Sequence, residues 1–238
     1  MNKTVKIIIE IALFLLCCFL VFLIYSSVME PVRFNKEQAR RQAVAVQRMK
    51  DIRTLQVAYK GETGKYVSTI DSLKLFYEKG QITTTMRIGS QDDSTVAEHT
   101  QKLVDAYKKA NRKITREEIS RKLEQAYNAG DTKVWFDIDT KIPVKDTLFK
   151  DRADFCIDSL KYIPFSGGEL VEMEAETRMV SGVPVPLFEA RMPFKKLLKG
   201  MDEQLRINQD CERRKQNRYE GLQVGSILSP NNNAGNWE

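Results

Sequence analysis

Residues 7–25 read IIIEIALFLLCCFLVFLIY, nineteen residues carrying one charge. A helix rises about 1.5 Å per residue and the hydrocarbon core of a bilayer is about 30 Å thick, so this run has the length and composition to cross a membrane. A cleaved signal peptide is the competing reading. Its apolar region is shorter and ends in a small-x-small site, whereas here the apolar run continues through Leu23, Ile24 and Tyr25. A retained anchor bounded by Ile7 and Tyr25 is therefore expected, after a short flank over residues 1–6. Cys17 and Cys18 lie within it, preceded by Leu15 and Leu16 rather than the small residues of a lipid-attachment site. Glu10 is the one ionisable group in the span, costly in hydrocarbon and expected either to serve a function or to reach the headgroups.

Outward from the span the chain becomes charged. The whole sequence has 38 Lys+Arg against 32 Asp+Glu, a net charge of +6, too small and too diluted by acids to indicate nucleic-acid binding. The excess is local. Between Arg33 and Lys60 lie eight basic residues against Glu37 and Asp51, a segment that can touch lipid headgroups or simply face water. Lys3 and Lys6 on one side and Arg33, Lys36, Arg40 and Arg41 on the other leave the positive-inside count close to a tie, tilted toward a cytoplasmic domain.

After Pro31, which ends or kinks the span, Ala39, Ala43, Val46, Met49, Ile52, Leu55 and Tyr59 recur every three or four residues. This predicts an amphipathic helix stopped by Gly61 and Gly64. Lys6-Ile7-Ile8-Ile9-Glu10 ahead of an apolar stretch, the passage into a long amphipathic helix, and the close LQVAYKGETGKY before a short Ser68–Leu75 helix together resemble the type IV pilins. The likeness is greatest to the major pseudopilins of type II secretion, over about residues 6–80. The resemblance implies an envelope subunit in a bacterial inner membrane with its domain on the periplasmic side, and it gives Glu10 an assembly contact with a neighbouring subunit. Val5 stands where prepilin processing requires Gly or Ala before Lys6, so the architecture is pilin-like without that processing site.

Beyond residue 80, residues 82–98 are polar and read as a loop. Leu103, Tyr107, Ala110, Ile119, Leu123 and Tyr127 keep helical spacing, with a Thr115/Glu118 capping box and a stop at Gly130. From Lys133 the period changes to two through VWFDIDT, IPVKDTLF, DFCIDSLKYIPF, ELVEMEAETRMV and VPVPLFEARMP, predicting half-buried antiparallel strands. Turns are expected at Gly167-Gly168 and Ser181-Gly182, a last hairpin in RYEGLQVGSIL, and a tail over 230–238. The expected fold is α+β: a transmembrane helix over 7–25 continuing into an amphipathic helix within 26–80, packed on an antiparallel sheet within 133–229, with a helical insertion over 81–132.

Catalytic signatures are sparse. His99 is the single histidine, nucleotide-binding glycine motifs and CxxC are missing, and Asp137-Ile138-Asp139-Thr140 lacks the βαβ context of an aspartate-based phosphatase. Glu172, Glu174, Glu176 and Arg178 share one strand face and read as solvent-facing. Trp135, Tyr162, Phe165 and Phe188 are expected in the core. Cys156 and Cys211 are the one pair outside the membrane that could form a disulfide. These readings favour a non-enzymatic structural subunit without cofactor, metal, nucleic acid or small-molecule substrate, partnered by membrane lipid and by copies of itself or other envelope proteins. The rival readings are a membrane-tethered cytoplasmic adaptor and an enzyme centred on Asp137 and Asp139.

Overall fold

The computed structural model describes residues 3–238, with side chains from residue 11 onward. Helix α1 (Lys3–Thr63) runs through Pro31 without a break in the helical assignment. Proline removes the N–H that would reach the Ser27 carbonyl, a local loss the flanking turns tolerate. The helix ends at Gly64, which adopts φ 75° and donates its N–H to the Lys60 carbonyl at 2.8 Å. Gly61, expected to share that role, lies inside the last turn.

After α1 come α2 (Ile70–Lys79), strand β1 (Gln81–Ile88), α3 (Ser94–Ala110), α4 (Arg116–Asn128), β2 (Phe136–Pro143), a single turn α5 (Val144–Thr147) and a short 3₁₀ helix (Ile157–Lys161). Strands β3 (Glu172–Val180) and β4 (Val183–Pro193), the turn α6 (Phe194–Leu197), α7 (Glu203–Lys215) and β5 (Gly221–Gly225) complete the chain. The fold is α+β, as the sequence pattern predicts. It divides into two compact units, one made of Met1–Leu75 with Asp154–Glu238 and the other of Phe76–Ala153.

In the first unit the antiparallel sheet has the order β3-β4-β5, and α1 packs on it. Met49, Ile52 and Leu55 are fully buried, as are Phe188 and Met192 on β4, and Leu222 on β5 is 3% exposed, each such side chain contributing about 1.5–3 kcal/mol. The buried stripe differs from the expected one. Ala39 and Ala43 are exposed, and the inward positions are Phe34, Gln38, Ala45, Met49, Asp51, Ile52, Leu55 and Gln56. Two glutamines in that stripe disguise it from a hydropathy reading. Gln56 offsets its burial by pairing with both backbone groups of one residue: its Nε2 donates to the Val67 carbonyl at 2.6 Å and its Oε1 accepts from the Val67 N–H at 3.1 Å.

The β3–β4 hairpin turns at Ser181-Gly182 as expected, with both residues at positive φ (51° and 82°) between paired Val180 and Val183. Two successive left-handed residues match the twist of the flanking strands. The tail folds back rather than trailing. Gly225 donates to the Ala234 carbonyl, Asn236 donates to the Gln223 carbonyl, and Arg53 pairs with Glu238 at 2.6 Å, so residues 234–236 cover the β5 edge.

The second unit holds a two-stranded antiparallel ribbon, β1 with β2, and helices α3 and α4. Leu123, Val134 and Phe136 form its core, with Leu103, Tyr107, Ile119 and Tyr127 around them. The Thr115/Glu118 capping box is present as predicted. Residues expected to form a loop over 82–98 instead supply β1 and the start of α3. The strand Gln81–Ile88 is polar, but its three threonines favour extended backbone and pair it in full register with β2. Hence β2 belongs to this ribbon and not to the sheet that the period-two pattern over 133–229 predicts. The DFCIDSLKYIPF stretch, expected as a strand, curls into the 3₁₀ helix, where Ser159 donates both its N–H and its hydroxyl to the Cys156 carbonyl. Cys156 and Cys211, the pair outside the membrane stretch that could bridge, are both free thiols here.

Candidate membrane anchor and the surface behind it

One helix among the described residues, α1, is long and apolar enough to cross a membrane. Over residues 11–25 no side chain finds a partner surface: Phe14 is 68% exposed, Leu23 46% and Tyr25 58%. Apolar exposure on that scale is tolerated when the surroundings are themselves apolar. The side chains of Ile7 and Glu10 lie outside the described residues, while Tyr25 is on the exposed surface of the helix. Cys17 and Cys18 are exposed on the same stretch.

Two turns past the stem, α1 carries a compact charged knot. Glu37 accepts from Arg40 at 2.7 and 2.8 Å and from Arg41 at 2.9 Å. The hydrogen bonds from Arg40 and then Arg41 hold its carboxyl down at about 2. Arg41 also donates to the carbonyls of Leu197 and Lys199 at 3.3 and 2.9 Å, fastening the α6 loop to the helix. Both guanidiniums lie over the Phe165 ring, 5.0 and 5.2 Å from its centre. Phe165 is thus 40% exposed and serves as a platform for cations, not as core; Tyr162 is likewise 42% exposed and Trp135 half-buried, while Phe188 is fully buried as expected.

The acidic row of β3 faces solvent as expected, its carboxylates 41–53% exposed, and each has a cation beside it. Arg191 reaches Glu174 at 2.6 Å and Glu189 at 3.2 Å, Lys196 takes Glu172 at 2.9 Å, and Arg178 takes Glu176 at 3.0 Å. Asp210 on α7 went unnoticed in the sequence. Its side chain is 7% exposed, one oxygen is held by Arg206 at 2.6 Å, the other has no hydrogen-bond partner, and burial pushes its pKa up. No sequence signal marks it, because it sits in a strongly polar helix.

In the second unit, a cavity of about 400 Å³ is lined by Thr85, Arg116, Arg121, Glu124, Asp137 and Asp139, among others. Asp137 accepts from Arg87 at 2.8 Å and from Arg116 at 3.1 Å, and these bonds, Arg87's foremost, hold it below the ordinary carboxylate range. Asp139 accepts from the Thr85 hydroxyl at 2.6 Å. Both carboxylates are thus engaged by neighbouring side chains. His99 lies on α3, not in a loop, and its Nε2 sits 2.7 Å from Asp131. Among the described residues no group of three or more His, Cys, Asp or Glu side chains is placed to hold a metal ion.

Comparison with protein-family models, with curated proteins and with solved structures returns no match.

Proposed function

We propose that this chain is a bitopic membrane protein of the cell envelope, anchored by residues 7–25, whose α+β domain serves as a structural, non-enzymatic assembly subunit with a pilin-like architecture. The observation that carries the reading is the single helix α1. Its first half is apolar and unpartnered, and its second half forms the spine of an antiparallel sheet without any intervening linker. In this reading the domain faces the periplasm, and its partners are other copies of the chain or other envelope proteins. The sequence resemblance to pseudopilins over about residues 6–80 supports the same assignment.

The tethered cytoplasmic adaptor is favoured by one observation, the basic residues on α1 next to the stem. Cys156 separates the two readings, being an exposed free thiol outside the membrane stretch. In intact cells, a membrane-impermeant maleimide should label Cys156 if the domain is outside the cytoplasm, with Cys156→Ser as the blank. Labelling that appears only after lysis would overturn the envelope assignment and install the adaptor.

A further inference from the structure

An unpaired sheet edge is a template for another strand, and folded proteins commonly close theirs. The sheet of the first unit closes two of its edges. Residues 234–236 cover β5, where Gly225 donates to the Ala234 carbonyl and Asn236 to the Gln223 carbonyl. Because β5 pairs only with Glu189–Pro193, the earlier part of β4 has a bare far side, and Pro184 and Pro186 stand there. Their direction follows from the ladder. Gln223 and Gly225 turn their backbone toward the tail, so Arg191 and Glu189 opposite them turn theirs toward β3, and alternation aims residues 184 and 186 away from it. In that orientation a strand proline gives up no ladder bond and leaves no donor on the edge.

The same alternation, carried across the hairpin, aims the backbone of Met173, Ala175, Thr177 and Met179 out of the far side of β3. None of these is proline, β3 pairs only with β4, and among the described residues no backbone hydrogen bond from outside the sheet reaches them. Their side chains share the face toward α1, where the Met173 sulfur accepts from Gln56 Nε2 at 3.3 Å, and Met179 ends the row 68% exposed. The opposite face is acidic. Glu174 stands directly across from Glu189, and the five carboxylates of Glu169, Glu172, Glu174, Glu176 and Glu189 share three cations, Arg178, Arg191 and Lys196.

We propose that the open β3 edge accepts an extended strand of a partner polypeptide in which basic and apolar residues alternate. Such a strand sets its cations beside Glu174 and Glu176, at non-hydrogen-bonded positions where side chains lie closest. Its apolar residues fall beside Ala175 and Met179. The proposal deepens the assembly reading and rests on it. A second copy fits this edge poorly. Two β3 edges meeting antiparallel are related by a twofold axis perpendicular to the sheet. With α1 packed along the sheet, that axis points the two stems in opposite directions, away from a shared membrane.

The test adds short peptides to the full chain in phosphatidylcholine nanodiscs: one alternating Val and Lys, one alternating Val and Glu, and the Val-Lys peptide N-methylated at its valines. Hydrogen exchange over residues 172–180 is followed by mass spectrometry. Without peptide the outward amides should exchange freely. Val-Lys peptide should slow them, the N-methylated peptide should not, and Val-Lys should bind about tenfold more tightly than Val-Glu. In the Glu174→Lys/Glu176→Lys chain that preference should reverse, a result that misfolding cannot imitate. No slowing at millimolar Val-Lys peptide, or equal slowing by the N-methylated one, overturns the acceptor edge. Equal binding of Val-Lys and Val-Glu overturns the basic partner. Outward amides already protected without peptide overturn the proposal, in favour of a second copy if the chain is dimeric. These outcomes leave the anchor and the envelope assignment untouched, whereas Cys156 labelled only after lysis sinks that assignment and leaves the peptide results standing.

Discussion

The two halves of α1 share one backbone and one rich supply of apolar side chains, yet they meet opposite fates. From Ile11 to Tyr25 nearly every large side chain is about half exposed or more, and the polar exceptions are few. From Phe34 to Gln56 the buried stripe is narrower and less apolar, and it admits Gln38, Asp51 and Gln56. A hydrocarbon solvent asks only that the surface be greasy, with no demand for shape. A protein partner asks for fit, and it accepts an amide where hydrogen bonds are returned.

The contrast can be broken hardest in the first half. Replacing Leu16 and Phe19 by Arg places two charges mid-span at a cost of roughly 3 kcal/mol each. The chain should then leave the carbonate-washed membrane pellet for the soluble fraction, while the domain's melting temperature stays unchanged. Retention in the pellet would mean that something other than residues 7–25 holds the protein there.

Ile52→Ala probes the second half, where burial is complete. It should destabilise the domain by about 2–5 kcal/mol and lower the melting temperature by roughly 5–15 °C with membrane retention unaffected. Gln56→Leu is the finer probe. By hydropathy it improves the helix, but it strands the Val67 N–H and carbonyl, so stability should fall by about 1–3 kcal/mol in chemical denaturation. A gain instead would show that the stripe is governed by apolar area alone.

The smallest effect is expected at the Glu37 knot. Its carboxyl is depressed from 4.5 to about 2 by Arg40 first and then Arg41, so its contribution is present above the ordinary value and lost as the pH falls through about 2. A carboxyl NMR titration should place the midpoint near that figure, and Arg40→Gln should move it back upward. A midpoint already at the ordinary value would mean that the knot is loose in solution.

How much of this was legible in advance followed from which physical rule each segment obeys. The span was plain because a bilayer reads composition and length, and the β3–β4 hairpin was plain because Ser181-Gly182 interrupts two alternating runs. Strand β1 was hidden, since QITTTMRI has little burial to pattern it and owes its pairing to β2, some fifty residues away. The 3₁₀ turn over Ile157–Lys161 was hidden for the opposite reason: its alternation imitates a strand while a serine closes the backbone locally. On the candidate surface, the basic residues of α1 were visible in sequence. The Arg41 bonds to the Leu197 and Lys199 carbonyls were not, because those partners lie 156 and 158 residues away in sequence.

The unbroken run of α1 has a mechanical meaning. A helix of 61 residues is a rod about 90 Å long, and with no flexible joint between stem and sheet, a pull or twist applied at one end arrives at the other. Load passes in series through the backbone hydrogen bonds, and at Pro31 one of them is missing, just where the rod leaves the apolar stretch. Under tension or bending that turn is the place where the rod yields first. The first unit beyond it, fastened to the helix by Arg41 at the Lys199 carbonyl, Arg48 at the Tyr162 carbonyl and Arg53 at Glu238, would move as one piece with its half of the helix.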